Sequence, residues 1–256
     1  MQERLSIVVP VHNEADNVRP LIEEIDAAVA GLGPCEILFV DDGSSDDTLA
    51  RLIALKPEFP HLRVIQHRQC CGQSTALRTG IVAANGSVIA TLDGDGQNDP
   101  ANIPALFDAW QALRQTAGWA LIAGYRRHRK DTGWRRFSSR FANGIRAALL
   151  KDATPDTGCG LKLFDRDLFL AMPYFDHMHR FLPALAQRAG ARVQSVDVNH
   201  RPRLRGQSKY GTWHRLWVGI WDLLGVMWLQ RRAHIPDIRE ISAASLESSA
   251  RSMLPT

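Results

Sequence analysis

The chain has 256 residues, 45% of them apolar and 23% charged, and a formal net charge of +4. These proportions are ordinary for a globular protein long enough to bury a core. The small positive charge favours anionic partners such as phosphates or anionic lipid and does not indicate nucleic acid. No apolar run reaches about 18 residues, so the sequence predicts no membrane span of its own.

The first half of the chain alternates between predicted strands and predicted helices. Short apolar runs predict strands at 5–11, 35–40, 62–66, 88–92 and 119–123. Apolar residues at helical spacing predict helices at 18–32, 47–55, 72–84 and 101–115. Such alternation predicts a parallel sheet flanked by helices, in which ligands bind beyond the carboxyl ends of the strands.

Four acidic residues follow predicted strands and are therefore expected at that edge: Glu14, Asp42, Asp93 and Asp95. Only a glycine separates Asp93 from Asp95, and two carboxylates so close favour a divalent cation. The sequence contains no glycine-rich phosphate cradle, so a bound nucleotide would be held through such a cation. A calcium loop and a solvated acidic turn without a ligand remain alternatives. Asn98 and Pro104 stand where a calcium loop needs glycine and glutamate.

Three motifs in this order resemble the inverting GT-A glycosyltransferases of family 2, and more narrowly their polyprenyl-phosphate (dolichol-phosphate mannose synthase-like) branch. The motifs are Val8-Val9-Pro10-Val11-His12-Asn13-Glu14, Phe39-Val40-Asp41-Asp42-Gly43-Ser44-Ser45-Asp46 and Asp93-Gly94-Asp95-Gly96-Gln97-Asn98-Asp99-Pro100. The resemblance runs from about Leu5 to Leu229. It implies a GT-A fold, which is a Rossmann-like α/β fold with a mixed, mainly parallel sheet flanked by helices.

The resemblance also assigns the donor side of a site. It places Pro10, Glu14 and Asp42 in the nucleoside pocket. Asp93 and Asp95 would handle the diphosphate and a Mg²⁺ or Mn²⁺ ion, with Gln97 completing the metal shell. One departure is Cys70, which stands where the family usually has asparagine. The pair Cys70–Cys71 is interpreted as two small buried apolar groups.

On the acceptor side the resemblance assigns phosphate-binding roles to basic and hydroxyl residues. These are Arg126, Arg135 or Arg136, Ser139 and Ser208. Arg203 and Lys209, in an R-x-x-G-x-S-K pattern, would close over the donor. The physical reason is that arginine forks pair bidentately with phosphate oxygens.

Asp156 follows in a segment that the resemblance places nearest the acceptor. It could be a general base, but an acceptor phosphate is already anionic and needs none. We therefore expect Asp156 to be a positioning residue, with a plain turn aspartate as the alternative.

The sequence predicts three regions: a glycosyltransferase domain at 1–210, an amphipathic membrane-interface helix at 211–235 and a disordered tail at 236–256. The arginines and aromatic residues at 134–148 also fit a basic amphipathic helix on a membrane, although an ordinary core stripe with a solvated basic face is an alternative. With no secretory signal and no metal-ligand spacing among the four cysteines, reduced thiols are expected. Together these features predict a peripheral protein on the cytoplasmic face of the inner membrane, with or without a small membrane subunit.

The predicted activity is inverting, metal-dependent transfer of a sugar from a GDP- or UDP-linked donor to a polyprenyl phosphate. Two alternatives remain at this point. One is a family 2 transferase that acts on a carbohydrate hydroxyl, which would need a true base. The other is a non-catalytic, membrane-associated nucleotide-binding subunit.

Overall fold

The computed structural model describes residues 4–116, 118–126, 144, 146, 149–150, 152, 154–201, 212–234 and 236, and only the backbone of 212–217. Seven strands form one sheet: β1 (Leu5–Val11), β2 (Cys35–Asp42), β3 (Leu62–His67), β4 (Val88–Thr91), β5 (Ala120–Tyr125), β6 (Lys162–Asp165) and β7 (Arg192–Asp197). Their order across the sheet is β3-β2-β1-β4-β6-β5-β7. All neighbours are parallel except β6, which runs antiparallel to both β4 and β5.

Helices cover both faces of this sheet. They are α1 (Val18–Val29), α2 (Thr48–Leu55), α3 (Gln73–Ala83), α4 (Ile103–Arg114), α5 (Arg166–Ala171), α6 (Leu182–Arg188) and α7 (Thr212–Arg231). Two short 3-10 turns occupy Pro100–Asn102 and Met178–Arg180. No helix in the described ranges is long and apolar enough to cross a bilayer.

The central strands supply side chains to two cores because alternate residues of a strand point to opposite faces. Along β1, Ile7 and Val9 join the core beneath α1 and α4, whereas Val8 joins the core beneath α3, α6 and α7. A strand buried on both faces reads as a continuous apolar run, as the sequence of β1 does. The predicted mixed, mainly parallel GT-A-like sheet is confirmed.

The antiparallel strand β6 positions part of the site. Since the carboxyl ends of β1, β2, β4 and β5 share one edge of the sheet, the amino end of the antiparallel β6 lies at that edge too. The segment that enters β6 therefore meets the loop that follows β4, and the hydroxyl of Thr91 donates to the Gly160 carbonyl at 2.8 Å.

Candidate functional site

The acidic loop after β4 forms the centre of the site. Asp93 donates its backbone N–H to Asn98 Oδ1 at 3.0 Å, and its Oδ1 accepts a hydrogen bond from Gln73 Nε2 at 2.7 Å. Gly160 faces Asp93 closely, because a Cβ on Gly160 would lie 2.2 Å from Asp93 Oδ2. Only glycine leaves room there for the carboxylate, so the chain entering β6 fixes the place of Asp93.

Asp93 and Asp95 together fit a divalent cation. Burial, and next the charge of Asp95, raise the pKa of Asp93 to about 6. Two carboxylates that repel each other in a half-buried position are stabilised when a divalent ion binds between them. Oxygen ligands of this kind suit Mg²⁺ or Mn²⁺. The carboxylate oxygens at this loop therefore fit the divalent cation that the sequence predicts.

The raised pKa of Asp93 predicts how stability depends on pH when no metal is bound. A carboxyl whose pKa is higher in the folded chain stabilises the fold while protonated, and this contribution is lost as pH rises from about 4 to about 6. Asp93→Asn should therefore raise the metal-free free energy of unfolding at pH 7 by up to about 3 kcal/mol. It should change stability little at pH 4.

Thermal or urea unfolding in EDTA at the two pH values checks this expectation. The matched control is Asp108→Asn, since Asp108 is exposed on α4 and its replacement should change stability little. Equal stability of Asp93→Asn and the unaltered chain at pH 7 would show that the pKa of Asp93 is not raised in the folded chain.

Gln97 connects the acidic loop to a later part of the chain. Its backbone N–H donates to Asp95 Oδ1 at 3.1 Å, and its carbonyl accepts from the Arg201 backbone N–H at 3.0 Å. Arg201 also pairs with Asp99 at 2.7 Å and with Glu24 at 2.7 Å. Arg201 is therefore held against the predicted metal loop, and the basic R-x-x-G-x-S-K segment begins two residues later, at Arg203.

Arg126 and Asp156 form a bidentate ion pair at the end of β5. Arg126 Nε donates to Asp156 Oδ2 at 2.6 Å and Nη2 donates to Oδ1 at 2.9 Å. Both side chains are largely buried, and the Arg126 guanidinium also interacts electrostatically with Asp93. The structure thus brings together Arg126 and Asp156, which the sequence analysis places on the acceptor side of the site, next to the predicted metal loop.

Lys162 is a site residue that the sequence did not single out. It begins β6, is buried, and donates from Nζ to the Cys159 carbonyl. Burial lowers its pKa, while the charges of Cys159, Asp93 and Asp156 oppose that effect. A lysine between two apolar residues, Leu161 and Leu163, was the available signal, because buried lysines are rare unless they are paired.

The helix α3 adds two contacts that were also missed. Gln73 reaches Asp93, as described above, and Ser74 Oγ lies 2.7 Å from Nδ1 of His179. Burial, and next the charge of Arg180, lower the pKa of His179 to about 3, so its ring is neutral near pH 7. These contacts link residues up to 105 apart in the chain, a separation that local spacing cannot reveal.

The predicted nucleoside residues lie at the ends of β1 and β2. Pro10 is buried within β1, and its carbonyl lies beneath Gly94 of the acidic loop. Glu14 donates its backbone N–H to Thr48 Oγ1 at 2.9 Å, and its carboxylate accepts from Asn17 at 2.6 Å. Both residues therefore occupy the expected edge of the sheet, as does Asp42 at the end of β2.

Asp42 holds the loop that follows β3. Its carboxylate accepts from the backbone N–H groups of Cys71 and Gly72, both at 2.8 Å, and contacts His67 Nδ1 at 2.7 Å. Burial acts to raise the pKa of Asp42, but these hydrogen bonds outweigh it and leave the pKa below its ordinary value. Cys70 and Cys71 are exposed, so interpreting them as buried apolar groups was wrong.

Six predicted site residues lie outside the described part of the chain. They are Arg135, Arg136, Ser139, Arg203, Ser208 and Lys209. Their roles stay predictions. The described site comprises the acidic loop, the Arg126–Asp156 pair, Lys162 and the strand ends around Asp42.

Comparison with known proteins gives one family match. The model of glycosyl transferase family 2 matches residues 6–171, which is more than half of the chain. A dodecaprenyl-phosphate galacturonate synthase from Rhizobium johnstonii is 35% identical over 89% of this chain and 67% of its own length. An undecaprenyl-phosphate 4-deoxy-4-formamido-L-arabinose transferase from Klebsiella pneumoniae is 34% identical over 81% of this chain, but only 63% of its own length is covered.

Solved structures share the fold at lower identity. A mannosyltransferase from Pyrobaculum calidifontis, in complex with GDP-Man and Mn²⁺, matches with a TM-score of 0.65 at 20% identity, covering 92% of this chain and 66% of that one. A glucosyl-3-phosphoglycerate synthase from Mycobacterium tuberculosis, with Mn²⁺ and UDP-glucose, matches with a TM-score of 0.62 at 22% identity over 92% and 82%. Divalent metal and nucleotide-sugar thus occur together in this fold.

Proposed function

The chain belongs to glycosyl transferase family 2, and on that premise we propose that it transfers a sugar from a nucleotide-sugar to a polyprenyl phosphate, with inversion at the anomeric carbon. One observation carries the proposal: Asp93, beside Asp95, interacts electrostatically with two buried basic residues, Arg126 and Lys162, at the carboxyl edge of the sheet. Two relatives are named for a dodecaprenyl phosphate and an undecaprenyl phosphate, which supports a polyprenyl phosphate as the acceptor.

The donor would lie along the ends of β1, β2 and β4. Pro10, Glu14 and Asp42 would border the nucleoside, and Asp93 and Asp95, with Gln97, would hold Mg²⁺ or Mn²⁺. The cation, when bound, neutralises charge on the diphosphate and makes it a better leaving group. Titration with Mg²⁺, Mn²⁺ and GDP- or UDP-linked sugars identifies the ion and the nucleotide.

The acceptor phosphate would lie on the cationic side of the site. Arg126 has five N–H donors, of which two bind Asp156, and the rest of the fork can meet phosphate oxygens. Arg135, Arg136, Ser139 and Ser208 would add donors for this phosphate, while Arg203 and Lys209 would close over the donor. An arginine already held by a carboxylate loses little side-chain freedom when phosphate binds, which favours binding.

The chemistry is a single in-line displacement. A phosphate oxygen of the acceptor forms a bond to the anomeric carbon while the bond from that carbon to the donor's β-phosphate oxygen breaks. The nucleoside diphosphate leaves with the electron pair of that bond. The buried side chain of Lys162, near Asp93, would help to stabilise the negative charge that develops on the diphosphate. The phosphate nucleophile is already an anion, so no proton has to be removed.

The state of Asp156 favours this route over a hydroxyl acceptor. Both carboxylate oxygens accept hydrogen bonds from Arg126, at 2.6 and 2.9 Å. A carboxylate engaged by a guanidinium is a weak base. A hydroxyl acceptor would need a base, and Asp156 is better suited to orient Arg126.

The helix α7 supplies a surface for the membrane that holds such an acceptor. Its inner face packs against the core through residues that include Leu223 and Val226. The opposite face exposes Ile220, Trp221, Leu224 and Trp228, with the two tryptophans 70% and 60% exposed. Tryptophan at an apolar helix face suits the bilayer interface. We propose a peripheral position on the membrane, at its cytoplasmic face, where a small membrane subunit would add an anchor.

Loss of both tryptophans should weaken membrane binding. Trp221→Ser with Trp228→Ser is expected to lower the partition coefficient onto anionic phospholipid vesicles at least about 10-fold, because two large apolar groups no longer enter the interface. Vesicle co-sedimentation measures this, with Ile53→Ser as the control, since Ile53 is 54% exposed on α2, a different helix. An equal loss in Ile53→Ser, or none in the double variant, would rule out α7 as the membrane surface.

The direct test of the proposed function is product formation. The full chain is incubated with Mg²⁺ or Mn²⁺, polyprenyl phosphate and a panel of GDP- and UDP-linked sugars, and the organic phase is analysed by mass spectrometry. We expect one donor to give a polyprenyl-phosphate-linked sugar. Metal-dependent nucleotide binding without a glycolipid from any donor would instead support a non-catalytic nucleotide-binding subunit.

A further inference from the structure

A second cluster of metal-ligand side chains lies at the ends of β2 and β3. A carboxylate oxygen of Asp42, a ring nitrogen of His67 and the Sγ of Cys71 all lie within 4.8 Å of one another. We propose that these three side chains bind a thiophilic divalent cation, with Zn²⁺ as the natural occupant. This site is separate from the carboxylate pair in the loop after β4.

The ligand set matches zinc chemistry. Thiolate, imidazole and carboxylate all bind Zn²⁺, and its bonds of about 2.0–2.3 Å put ligand atoms about 3.3–3.7 Å apart around a tetrahedral ion. The ligand atoms lie at most 4.8 Å apart, which requires a closure of about 1 Å, while His67 Nδ1 and Asp42 Oδ1, 2.7 Å apart, would separate by roughly 0.6 Å to admit the ion. Mg²⁺ and Mn²⁺ prefer oxygen ligands, so the sulfur and nitrogen atoms separate the chemistry of this site from that of Asp93 and Asp95.

The surroundings of His67 and Asp42 are those of oriented ligands. His67 Nε2 lies 2.9 Å from Thr79 Oγ1, which leaves Nδ1 directed at Asp42 Oδ1, 2.7 Å away. A second ring nitrogen held by a hydrogen bond is the usual arrangement for a metal-binding histidine. The Asp42 carboxylate is itself held by two backbone N–H groups of the loop.

The loop that carries Cys71 is fixed in place by Gly43. Gly43 has a φ of +66°, and a Cβ at this position would lie 2.5 Å from the carbonyl carbon of Gln69 and 2.6 Å from the nitrogen of Cys70. The backbone of the loop therefore packs directly on the turn after β2. This contact keeps Cys71 near Asp42 before any ion binds, which reduces the ordering cost of binding.

Binding would release a proton and leave one coordination position. The Cys71 thiol proton would go to solvent as the thiolate binds Zn²⁺, while His67 would bind through Nδ1 as a neutral imidazole that keeps its N–H on Nε2, next to Thr79 Oγ1. Water would fill the fourth position. The neighbouring Cys70 thiol lies 3.3 Å from the other oxygen of Asp42 and stays outside the proposed set.

Occupancy of this site would oppose donor binding, a consequence that rests on the proposed function. Asp42 is one of the residues assigned to the nucleoside, and a carboxylate that binds Zn²⁺ is no longer placed to accept a hydrogen bond from a ribose or base. Linkage requires the effect to be reciprocal, so nucleotide would weaken Zn²⁺ binding by the same factor.

The test uses the tag-free full chain, stripped of metal, with Zn²⁺ or Co²⁺ as the only added ion. We expect one Zn²⁺ per chain by equilibrium dialysis, and a thiolate-to-cobalt charge-transfer band with Co²⁺. Cys71→Ser should lower the affinity at least about 100-fold, and His67→Gln should lower it as well. Cys35→Ser and Cys70→Ser should both keep it.

Retention of full affinity in Cys71→Ser would overturn the proposal, as would loss of binding in Cys70→Ser alone. Because Cys71 is exposed, its variant should melt like the unaltered chain in EDTA, which separates ligand loss from misfolding. A second titration measures nucleotide affinity in Mg²⁺ with and without Zn²⁺. Unchanged nucleotide affinity would refute the antagonism, whereas no nucleotide binding under any condition would refute the proposed function and leave the zinc site standing.

Discussion

Asp95→Asn should lower the rate of sugar transfer about 1000-fold while the protein stays folded. Asp95 lies in the loop after β4, beside Asp93, whose pKa is about 6, and these carboxylates would hold the cation that neutralises the leaving diphosphate. Asparagine keeps the shape and removes the charge. The donor should then bind without its metal-dependent gain in affinity.

Calorimetric titration of the nucleotide-sugar, with and without Mn²⁺, measures that gain directly. The control is Asp108→Asn, which removes one carboxylate from the exposed face of α4 and should leave both rate and affinity unchanged. Full activity of Asp95→Asn would refute the metal role of the acidic loop.

The second large effect is expected from Asp156→Asn. This change leaves Arg126 without its buried carboxylate partner, which should cost about 3 kcal/mol of stability. The misplaced guanidinium should also lower kcat/KM about 100-fold, since small errors of position at a reacting centre are costly. Measurable activity should remain, and its pH profile should keep its shape, because no proton transfer depends on Asp156.

A second buried pair gives a matched control for this experiment. Asp152 pairs with Arg146 at 2.6 Å, the same distance as between Asp156 and Arg126, and both pairs are largely buried. Asp152→Asn should therefore cost a similar amount of stability and leave transfer by the folded protein unchanged. Complete loss of activity in Asp156→Asn, together with loss of a titrating limb in the pH profile, would identify a general base and favour a hydroxyl acceptor.

The sequence predicts the first half of the fold because its signals are local. Strands buried on both faces appear as apolar runs, such as 5–11, and helices with one buried face show regular spacing, as α1 does. Parallel alternation then brings Asp42 and Asp93 to one edge of the sheet. These steps need no long-range contact to be known in advance.

The second half of the sheet and the side-chain contacts of the site depend on residues that are distant in the sequence. The antiparallel insertion of β6 between β4 and β5 places Lys162 near Asp93, and no spacing rule in the sequence predicts that register. The Arg126–Asp156 pair spans 30 residues. Likewise, Asp42, His67 and Cys71 approach each other only because β2 and β3 are neighbours and Gly43 admits the loop.

The choice of acceptor tests the account most directly. The full chain, with Mg²⁺ and a donor that it binds, is offered polyprenyl phosphate or the matching polyprenol, which has a hydroxyl in place of the phosphate. Product formation is followed by mass spectrometry and the anomeric configuration by NMR. We expect an inverted glycosyl phosphate from polyprenyl phosphate and no product from polyprenol. Comparable transfer to polyprenol, or retained configuration, would contradict it.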